Sequence, residues 1–255
     1  MHLLICKDLK VSVGTKIVVK DATFYVNENE LVLLYGPNAS GKTSLAMAIL
    51  GHPKYKIVNG RIIFDGRDIT NMSMEKRVKL GLTATFQFSP DLRGITLEEL
   101  AFEIASRYGM SQDQMFKLIE LLKLHELLKR DVNVGFSGGE RKRVELFLTA
   151  LQKPRFVIFD EPDSGVDPES LALIGRAISE MVKNGLKGGL IITHVGYLAK
   201  YINATRAYVM IDGTMICHGD ADLISNHIFR YGFKMCIKRF KGEIYELEEW
   251  NKRKS

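Results

Sequence analysis

Apolar residues follow two different spacings along this chain, and the change from one to the other separates its parts. Short apolar runs that are rich in β-branched and aromatic residues and bounded by turn formers predict strands. Side chains that recur every three or four residues predict helices, and this spacing holds from Thr96 to about Lys129. The predicted strands cover residues 3–6, 16–19, 22–26, 30–35, 60–66, 156–159, 190–193, 207–211 and 214–217.

The order of these elements predicts an α/β fold. Residues 156–159 and 190–193 are apolar throughout, as expected for strands that are buried on both faces of a parallel sheet. An N-terminal antiparallel β-subdomain precedes this sheet, and an all-helical lobe is inserted at about residues 89–153. We expect one domain over residues 1–233 and a charged C-terminal extension over residues 234–255.

Composition and charge narrow the range of functions. The formal net charge is +6, but the basic residues are dispersed and form no platform with interleaved aromatic residues, so we expect no nucleic-acid partner. No apolar run approaches the roughly 20 residues that span a membrane, and the N-terminus lacks the pattern of a signal peptide. We therefore expect a cytoplasmic protein without direct membrane insertion. The three cysteines share no C-x-x-C spacing, which argues against a disulfide framework.

The first candidate site follows the predicted strand at residues 30–35. The chain reads G-x-x-x-x-G-K-T there, which is the pattern of a phosphate-binding P-loop. Its glycines let backbone N–H groups surround phosphate oxygens, Lys42 can reach the β- and γ-phosphates, and the Thr43 hydroxyl can bind Mg²⁺. A helix begins at the same point, so its N-terminus faces the anion. The predicted nucleotide-binding residues here are Gly36, Pro37, Asn38, Ala39, Ser40, Gly41, Lys42, Thr43 and Ser44.

Two carboxylates, Asp160 and Glu161, end the apolar strand at residues 156–159. At the C-terminal end of a central parallel strand, Asp160 lies beside the P-loop and can hold Mg²⁺. Glu161 can then act as general base for an attacking water. A solvated acidic turn is the alternative interpretation, but it does not explain why a buried strand ends in two charges.

A loop of small residues, Ser137-Gly138-Gly139-Glu140, precedes another helix-like segment. Exposed N–H groups at such a helix start favour a second anion site, although the tripeptide by itself is more typical of a flexible turn. Two further polar residues follow strands: Gln87 precedes the helical lobe, and His194 comes after residues 190–193.

In this order the motifs resemble those of the ATP-binding-cassette (ABC) ATPase family, and the resemblance covers about residues 2–230. It implies a P-loop NTPase fold of the ABC nucleotide-binding type. The corresponding motifs are Walker A at residues 36–43, the Q-loop at Gln87, the signature motif at residues 137–140, Walker B at Asp160 and Glu161, the D-loop at residues 164–167 and the H-loop at His194. The family's signature usually ends in Gln, where this chain has Glu140.

The resemblance implies an ATPase that uses ATP and Mg²⁺. In this family the signature loop of one subunit closes on ATP held by another, so we expect an ATP-dependent homodimer that sandwiches two ATP molecules. The implied roles are catalysis for Glu161, His194 and Gln87, ATP contact for Ser137, Gly138, Gly139 and Glu140, and magnesium contact for Thr43, Gln87 and Asp160.

Local detail around residues 51–55, 86–87 and 132–143 resembles the SufC family, which serves the SUF system of iron–sulfur cluster assembly. The implied partners are scaffold proteins like SufB and SufD, which ATP-driven closure remodels. Two alternatives stay open. One is the ATPase subunit of a membrane ABC importer, and the other is a non-transport cassette that works on nucleic acid or the ribosome. The last class commonly carries two cassettes or a long coiled-coil insertion, and this chain has neither.

The resemblance also marks one departure from the family pattern. Many members stack adenine on an aromatic residue in the N-terminal strands, where this chain has Val13. We therefore expect either weak selectivity for the base or a substitute group, such as Tyr25.

Overall fold

The computed structural model describes residues 1–86, 89–239 and 245–246, with side chains described up to residue 233. Gln87 lies outside the described residues, as does most of the predicted extension over residues 234–255. The predicted α/β fold is confirmed: a large mixed sheet carries helices on both faces.

The N-terminal part differs in detail from the expected series of short strands. Two strands of 12 residues, β1 (His2–Val13) and β2 (Lys16–Asn27), pair antiparallel. The expected break near Asp21 does not interrupt β2, because this polar residue is exposed on the strand surface. Register shifts on both sides of Leu9 absorb the irregular alternation in β1.

The remaining elements follow in chain order. The further strands are β3 (Glu30–Tyr35), β4 (Tyr55–Phe64), β5 (Arg67–Asp68), β6 (Leu82–Thr85), β7 (Leu92–Thr96), β8 (Asp131–Val132), β9 (Phe156–Asp160), β10 (Gly188–Thr193), β11 (Ala204–Ile211), β12 (Thr214–Asp220) and β13 (Tyr245–Glu246). The helices are α1 (Lys42–Leu50), α2 (Met74–Lys79), α3 (Leu97–Tyr108), α4 (Gln112–Leu122), α5 (Gly138–Leu151), α6 (Pro168–Lys183) and α7 (Ala221–Arg239).

The central strands bring the candidate motifs to one edge of the sheet. The strand order is β5-β4-β1-β2-β12-β11-β3-β10-β9-β6, and the strands from β11 to β6 run parallel. Register places Thr193 opposite Tyr35, and Ile192 opposite Asp160. The carboxyl ends of β3, β9 and β10 are therefore neighbours, so the segments that follow them meet in space.

Alternate residues of the central strands face two separate cores. In β3, Leu33 and Tyr35 pack with the helical lobe and α6, whereas Val32 and Leu34 pack with α1 and the N-terminal strands. All of β9 is buried, which agrees with its continuous apolar run. Among the described residues, no helix combines the length and the apolar character that crossing a membrane would require.

The inserted lobe is built mainly from helices, as the three- and four-residue spacing predicts. Thr96 and Ser111 begin α3 and α4, each through a capping box in which the hydroxyl accepts the N–H of the third helical residue. The expectation of an all-helical lobe needs one amendment. Strands β7 and β8 form a small antiparallel ladder within the lobe. The sequence did not predict this ladder, because its strands contain few apolar residues.

A buried arginine fixes the far end of α1. Arg77 in α2 is only 1% exposed, and its guanidinium donates to the carbonyls of Ala48, Ile49, Met72 and Thr70 at 2.6–3.0 Å. Helix C-termini leave carbonyl groups without helical partners. Arg77 therefore supplies a cationic cap to the helix that starts at the P-loop.

Candidate nucleotide site

The P-loop runs from the end of β3 to the start of α1 in a conformation that small residues allow. Gly41 has φ of 103°, and Ala39 has φ of 62°, both in the left-handed region. A Cβ atom on Gly36 would lie 2.3 Å from the carbonyl oxygen of Met210 and 2.6 Å from Ser40 Oγ. The two glycines are therefore needed for the turn and for close packing against β11.

Lys42 is folded back over this loop. Its ammonium donates to the carbonyls of Gly36 at 2.8 Å and Pro37 at 2.9 Å. Burial lowers the pKa of Lys42, and the carboxylates of Glu161 and Asp160 oppose that shift. The lysine is thus held at the mouth of the loop near two carboxylates, which is the position from which it can turn towards a phosphate.

Asp160 and Thr43 together form a pair of hard oxygen ligands. The Thr43 hydroxyl donates to Asp160 Oδ1 at 3.3 Å, across the gap between α1 and β9. The other carboxylate oxygen, Oδ2, is buried without a hydrogen-bond partner, and burial raises the pKa of Asp160. A buried carboxylate oxygen left over beside a hydroxyl is a donor set that suits Mg²⁺.

Glu161 follows Asp160 in a left-handed conformation, with φ of 50°. Its backbone N–H donates to the carbonyl of Ile192 at 3.0 Å, which ties the turn after β9 to β10. Its carboxylate Oε1 lies 3.6 Å from His194 Nδ1. The structure therefore places the predicted general base and the predicted H-loop histidine side by side at the mouth of the P-loop.

These residues share one cleft. It has a volume of about 730 Å³, and Glu161, Ser164 and His194 face the P-loop across it. The other lining residues are Lys16, Ile17, Val18, Lys20, Asn38, Ala39, Ser40, Gly41, Lys42, Thr43, Ser44, Asp212 and Gly213.

The signature residues lie elsewhere. Ser137 and Glu140 line a different cleft of about 590 Å³, which they share with Asp167 and Ser170. The structure does not bring this predicted ATP contact together with Lys42 in one cleft of a single chain.

A capping box explains the residue types in the signature loop. Ser137 Oγ accepts the N–H of Glu140 at 3.2 Å, and Glu140 Oε2 accepts the N–H of Ser137 at 2.7 Å. These hydrogen bonds lower the pKa of Glu140. A Cβ atom on Gly139 would lie 2.6 Å from Ser170 Oγ, so only glycine fits against α6 there.

The turn after β10 is held by a residue that the sequence did not single out as functional. The Thr193 hydroxyl donates to Asp163 Oδ2 at 2.9 Å and accepts the N–H groups of Val195 and Gly196. Both side chains are buried. Asp163 thereby fixes the backbone on either side of His194, and only its place in the motif after Walker B hinted at this role.

The cleft beside the P-loop is lined by Ile17, which is 38% exposed, together with Lys16 and Lys20, whereas Val13 and Tyr25 are not among its lining residues. An aliphatic side chain flanked by lysines thus occupies the position next to the P-loop. The Arg206 guanidinium lies 4.7 Å from the centre of the Tyr25 ring. Weak selectivity for the base, or a substitute group that holds it, stays a prediction.

The predicted Q-loop is described only in part. Gln87 lies outside the described residues, so its predicted magnesium contact stays a prediction. Phe86, just before it, is 40% exposed, and its backbone contacts Glu145 and Lys142 of α5. Sequence reasoning missed Glu145, because nothing in the helical spacing shows that a polar residue of α5 is buried.

Comparison with known proteins agrees with this geometry. The family model described as ABC transporter matches residues 19–164, more than half of the chain. A probable ABC transporter ATP-binding protein of Streptococcus pyogenes serotype M3 is 34% identical over 234 residues, which are 88% of this chain and 91% of that protein. The probable ATP-dependent transporter ycf16 of Cyanidium caldarium is 33% identical, over 91% of this chain and 95% of that protein.

Solved structures of ATP-binding cassettes have a fold similar to that of this chain. A nucleotide-free ATP-binding cassette from an ABC transporter aligns with a TM-score of 0.77 and 27% identity, over 95% of this chain and 100% of that one. The ADP conformation of an ATP-binding cassette aligns with a TM-score of 0.76 over the same shares of the two chains. The chain therefore belongs to the ABC transporter family of ATP-binding proteins, and it binds and hydrolyses ATP.

Proposed function

We propose that the protein is a SufC-type ATPase that works as an ATP-sandwich dimer and remodels SufB- and SufD-like scaffold proteins during iron–sulfur cluster assembly. The observation that carries the dimer is the separation of Ser137 from Lys42 into different clefts. A signature loop that contacts ATP must then belong to a second copy of the chain. Two ATP molecules would join the copies, and hydrolysis would release them, so attached partners would move.

Each residue of the cleft has a proposed part in the reaction. Lys42 and the P-loop bind the phosphates, and Thr43 and Asp160 bind Mg²⁺, which supplies charge neutralisation at the phosphates when bound. Glu161 takes a proton from the attacking water, and His194 contacts the γ-phosphate. Gln87 is the further proposed magnesium contact.

Two substitutions separate binding from chemistry. We expect Lys42→Ala to lose nucleotide binding, because the phosphates lose their cationic partner. We expect Glu161→Gln to keep ATP binding and to slow hydrolysis about 100-fold or more, the scale of general-base removal. ATP with Mg²⁺ should then trap Glu161→Gln as a dimer in size-exclusion chromatography. Near-wild-type hydrolysis by Glu161→Gln would show that the base is another group.

The SufC assignment rests on the local resemblance around residues 51–55 and 132–143. A second candidate function has support of its own, because relatives over most of the chain are named as ABC transporter ATP-binding proteins and as an ATP-dependent transporter. In that case the partner is a membrane permease, and the chemistry in the cleft is unchanged.

Affinity purification of the full chain from native membranes and from native soluble extract distinguishes the two. The SufC-type function predicts a soluble complex with scaffold proteins whose ATPase activity exceeds that of the isolated chain. Recovery of a membrane permease from the detergent extract would instead assign the chain to a transporter. Co-purification of nucleic acid in both fractions would contradict both candidates.

A further inference from the structure

A buried tyrosine adjoins both the P-loop and the turn that carries His194. Tyr35 is the last residue of β3 and is fully buried, and Gly36 of the P-loop follows it directly. The pairing of β3 with β10 places Thr193, the residue before His194, opposite Tyr35. Tyr35 is therefore next to both of the segments that meet at the mouth of the nucleotide cleft.

The phenol of Tyr35 supports the turn after β10 by close contact. Gly196 has φ of 77°, and a Cβ atom there would lie 2.3 Å from the Tyr35 hydroxyl oxygen and 2.6 Å from Cε1 of the ring. Both the backbone conformation and the lack of space therefore require glycine at this position. The N–H of Gly196 donates to the Thr193 hydroxyl at 2.7 Å, which closes a turn that contains His194.

Helix α7 holds the Tyr35 hydroxyl in place. Tyr35 Oη lies 2.8 Å from Ser225 Oγ, and both residues are buried. Ser225 has one hydroxyl hydrogen, which it donates to the carbonyl of Ala221 at 2.6 Å, so Tyr35 is the donor to Ser225. Burial raises the pKa of Tyr35 to about 12, so the phenol keeps this hydrogen at neutral pH. The hydroxyl oxygen is thus fixed between α7 and Gly196.

A second contact joins α7 to the same segment. Tyr197 begins a short 3-10 helix after Gly196, and its ring stacks on Phe229 of α7 with the ring centres 6.3 Å apart. Ser225 and Phe229 are four residues apart and share one face of α7. About half of the Tyr197 and Phe229 side chains is exposed, whereas the contact of Tyr35 with Ser225 is buried. The buried contact is therefore the firmer of the two.

We propose that Tyr35 is a positioning residue of the ATPase reaction. Its anchored hydroxyl holds the Gly196 turn, and this turn keeps His194 beside Glu161 at the mouth of the P-loop. The inference rests on the proposed contact of His194 with the γ-phosphate. Tyr35 does not itself line the cleft, so it acts through His194. Phenylalanine would fill nearly the same space, and a buried hydrogen bond adds little net stability, so neither packing nor stability requires the hydroxyl.

Tyr35→Phe tests the proposal in the full chain, because it removes one oxygen atom and keeps the ring. We expect kcat to fall about tenfold, the cost of a small misplacement at a reacting centre. The half-saturating ATP concentration should stay within about twofold, because the P-loop residues are unchanged. Wild-type kcat in Tyr35→Phe would overturn the proposal.

Tyr208→Phe in β11 is the matched control. Tyr208 is also buried, and its hydroxyl donates to the backbone carbonyl of Tyr25 at 3.3 Å, but it packs in the core that contains α1. This variant should lose a similar amount of stability and keep the wild-type kcat. An equal fall of kcat in both variants would mean that any lost buried hydroxyl slows the enzyme, and it would overturn the proposal.

A double-mutant cycle shows whether Tyr35 acts through His194. If it does, Tyr35→Phe should cause no further loss of hydrolysis in the His194→Ala protein. The same fold-loss in both backgrounds would overturn the proposal, because the tyrosine would then act independently of the histidine.

Nuclear magnetic resonance of ¹³C-labelled histidine measures the placement of His194 without catalysis. The ring signal of His194 is identified by its loss in His194→Ala, and Tyr35→Phe should shift and broaden it, whereas Tyr208→Phe should leave it unchanged. Ser225→Ala removes the anchor from the other side, so it should have the same effect and serves if Tyr35→Phe does not fold. An unmoved signal would overturn the proposal. Wild-type hydrolysis by His194→Ala would instead contradict the proposed function of His194, and the ring signal would still report its placement by Tyr35.

Discussion

We expect Ile17 to contact the part of a nucleotide that lies beyond its phosphates. It is partly exposed and lines the cleft with Lys16 and Lys20, beside the P-loop. An aliphatic side chain offers contact area but no ring on which a base can stack, and the lysines attract phosphate rather than base. The triphosphate should therefore dominate binding, and ATP and GTP should bind with similar affinity.

Replacing Ile17 with Tyr should supply the missing ring. Stacking of a base on an aromatic side chain contributes ~1–3 kcal/mol, so ATP binding should tighten about fivefold or more. Titration with fluorescent ATP and GTP analogues measures the change, and Val58→Tyr on the exposed surface of β4 serves as the control. If the wild-type chain already prefers ATP over GTP by about 100-fold, a group other than Ile17 selects the base.

At the scale of single residues, the sequence singled out Lys42, Ser137 and Glu140, because they belong to short motifs. It predicted contacts with ATP for all three, but it did not predict that Lys42 binds the P-loop carbonyls or that Ser137 and Glu140 form a capping box. Ile17 and Glu145 were missed, because their importance depends on elements distant in sequence. No local spacing shows that β2 borders the P-loop or that a polar residue of α5 is buried against β6.

The capping boxes of α4 and α5 differ in what they serve. Ser111 and Ser137 make the same reciprocal hydrogen bonds at the starts of α4 and α5, but only Ser137 lies in the signature motif. Ser111→Ala and Ser137→Ala should each lower the free energy of unfolding by ~1 kcal/mol, as measured by urea denaturation. Only Ser137→Ala should also weaken the ATP-dependent dimer of the Glu161→Gln protein. Equal effects on the dimer would mean that Ser137 acts through helix stability alone.

The C-terminal end of α1 should depend on Arg77. Arg77→Met keeps much of the buried volume and removes hydrogen bonds to four carbonyls, two of which belong to α1. Hydrogen bonds to a charged group contribute ~1.5–3 kcal/mol each before compensation, so the variant should lose about 3 kcal/mol of stability. Lys79→Met in the same helix is the control, since its ion pair with Glu75 is exposed and should contribute little.

The sequence predicted the type of an element correctly where its apolar residues followed a regular spacing or a continuous run. The continuous apolar runs of β9 and β10 and the three- and four-residue spacing in α3 and α4 gave their type correctly. The lengths of β1 and β2 were not predictable, because exposed polar residues in a strand look like turn formers. The ladder of β7 and β8 was missed because both strands are short and three of the five residues of β7 are exposed.

In the whole molecule, the sheet brings the residues of one nucleotide site together, and the signature residues Ser137 and Glu140 line a different cleft. Strand order cannot be read from the sequence alone, since any permutation of buried parallel strands has the same apolar pattern. The order of the motifs along the chain was sufficient to identify the family, and three of them follow β3, β9 and β10, whose carboxyl ends are neighbours. A second copy and a partner complete the proposed assembly, and we expect the partner to bind the helical lobe.

Two exposed phenylalanines on the helical lobe allow a test of whether the partner binds there. Phe102 of α3 is 39% exposed, and Phe116 of α4 is 48% exposed. Large exposed apolar side chains often mark interaction sites, so replacing both phenylalanines with Ser should reduce recovery of the partner in affinity purification about tenfold. Basal ATPase activity should stay unchanged, because neither side chain lines the cleft, and Val58→Ser on β4 should alter neither measurement. Full recovery of the partner with the double variant would place the docking surface on another part of the chain.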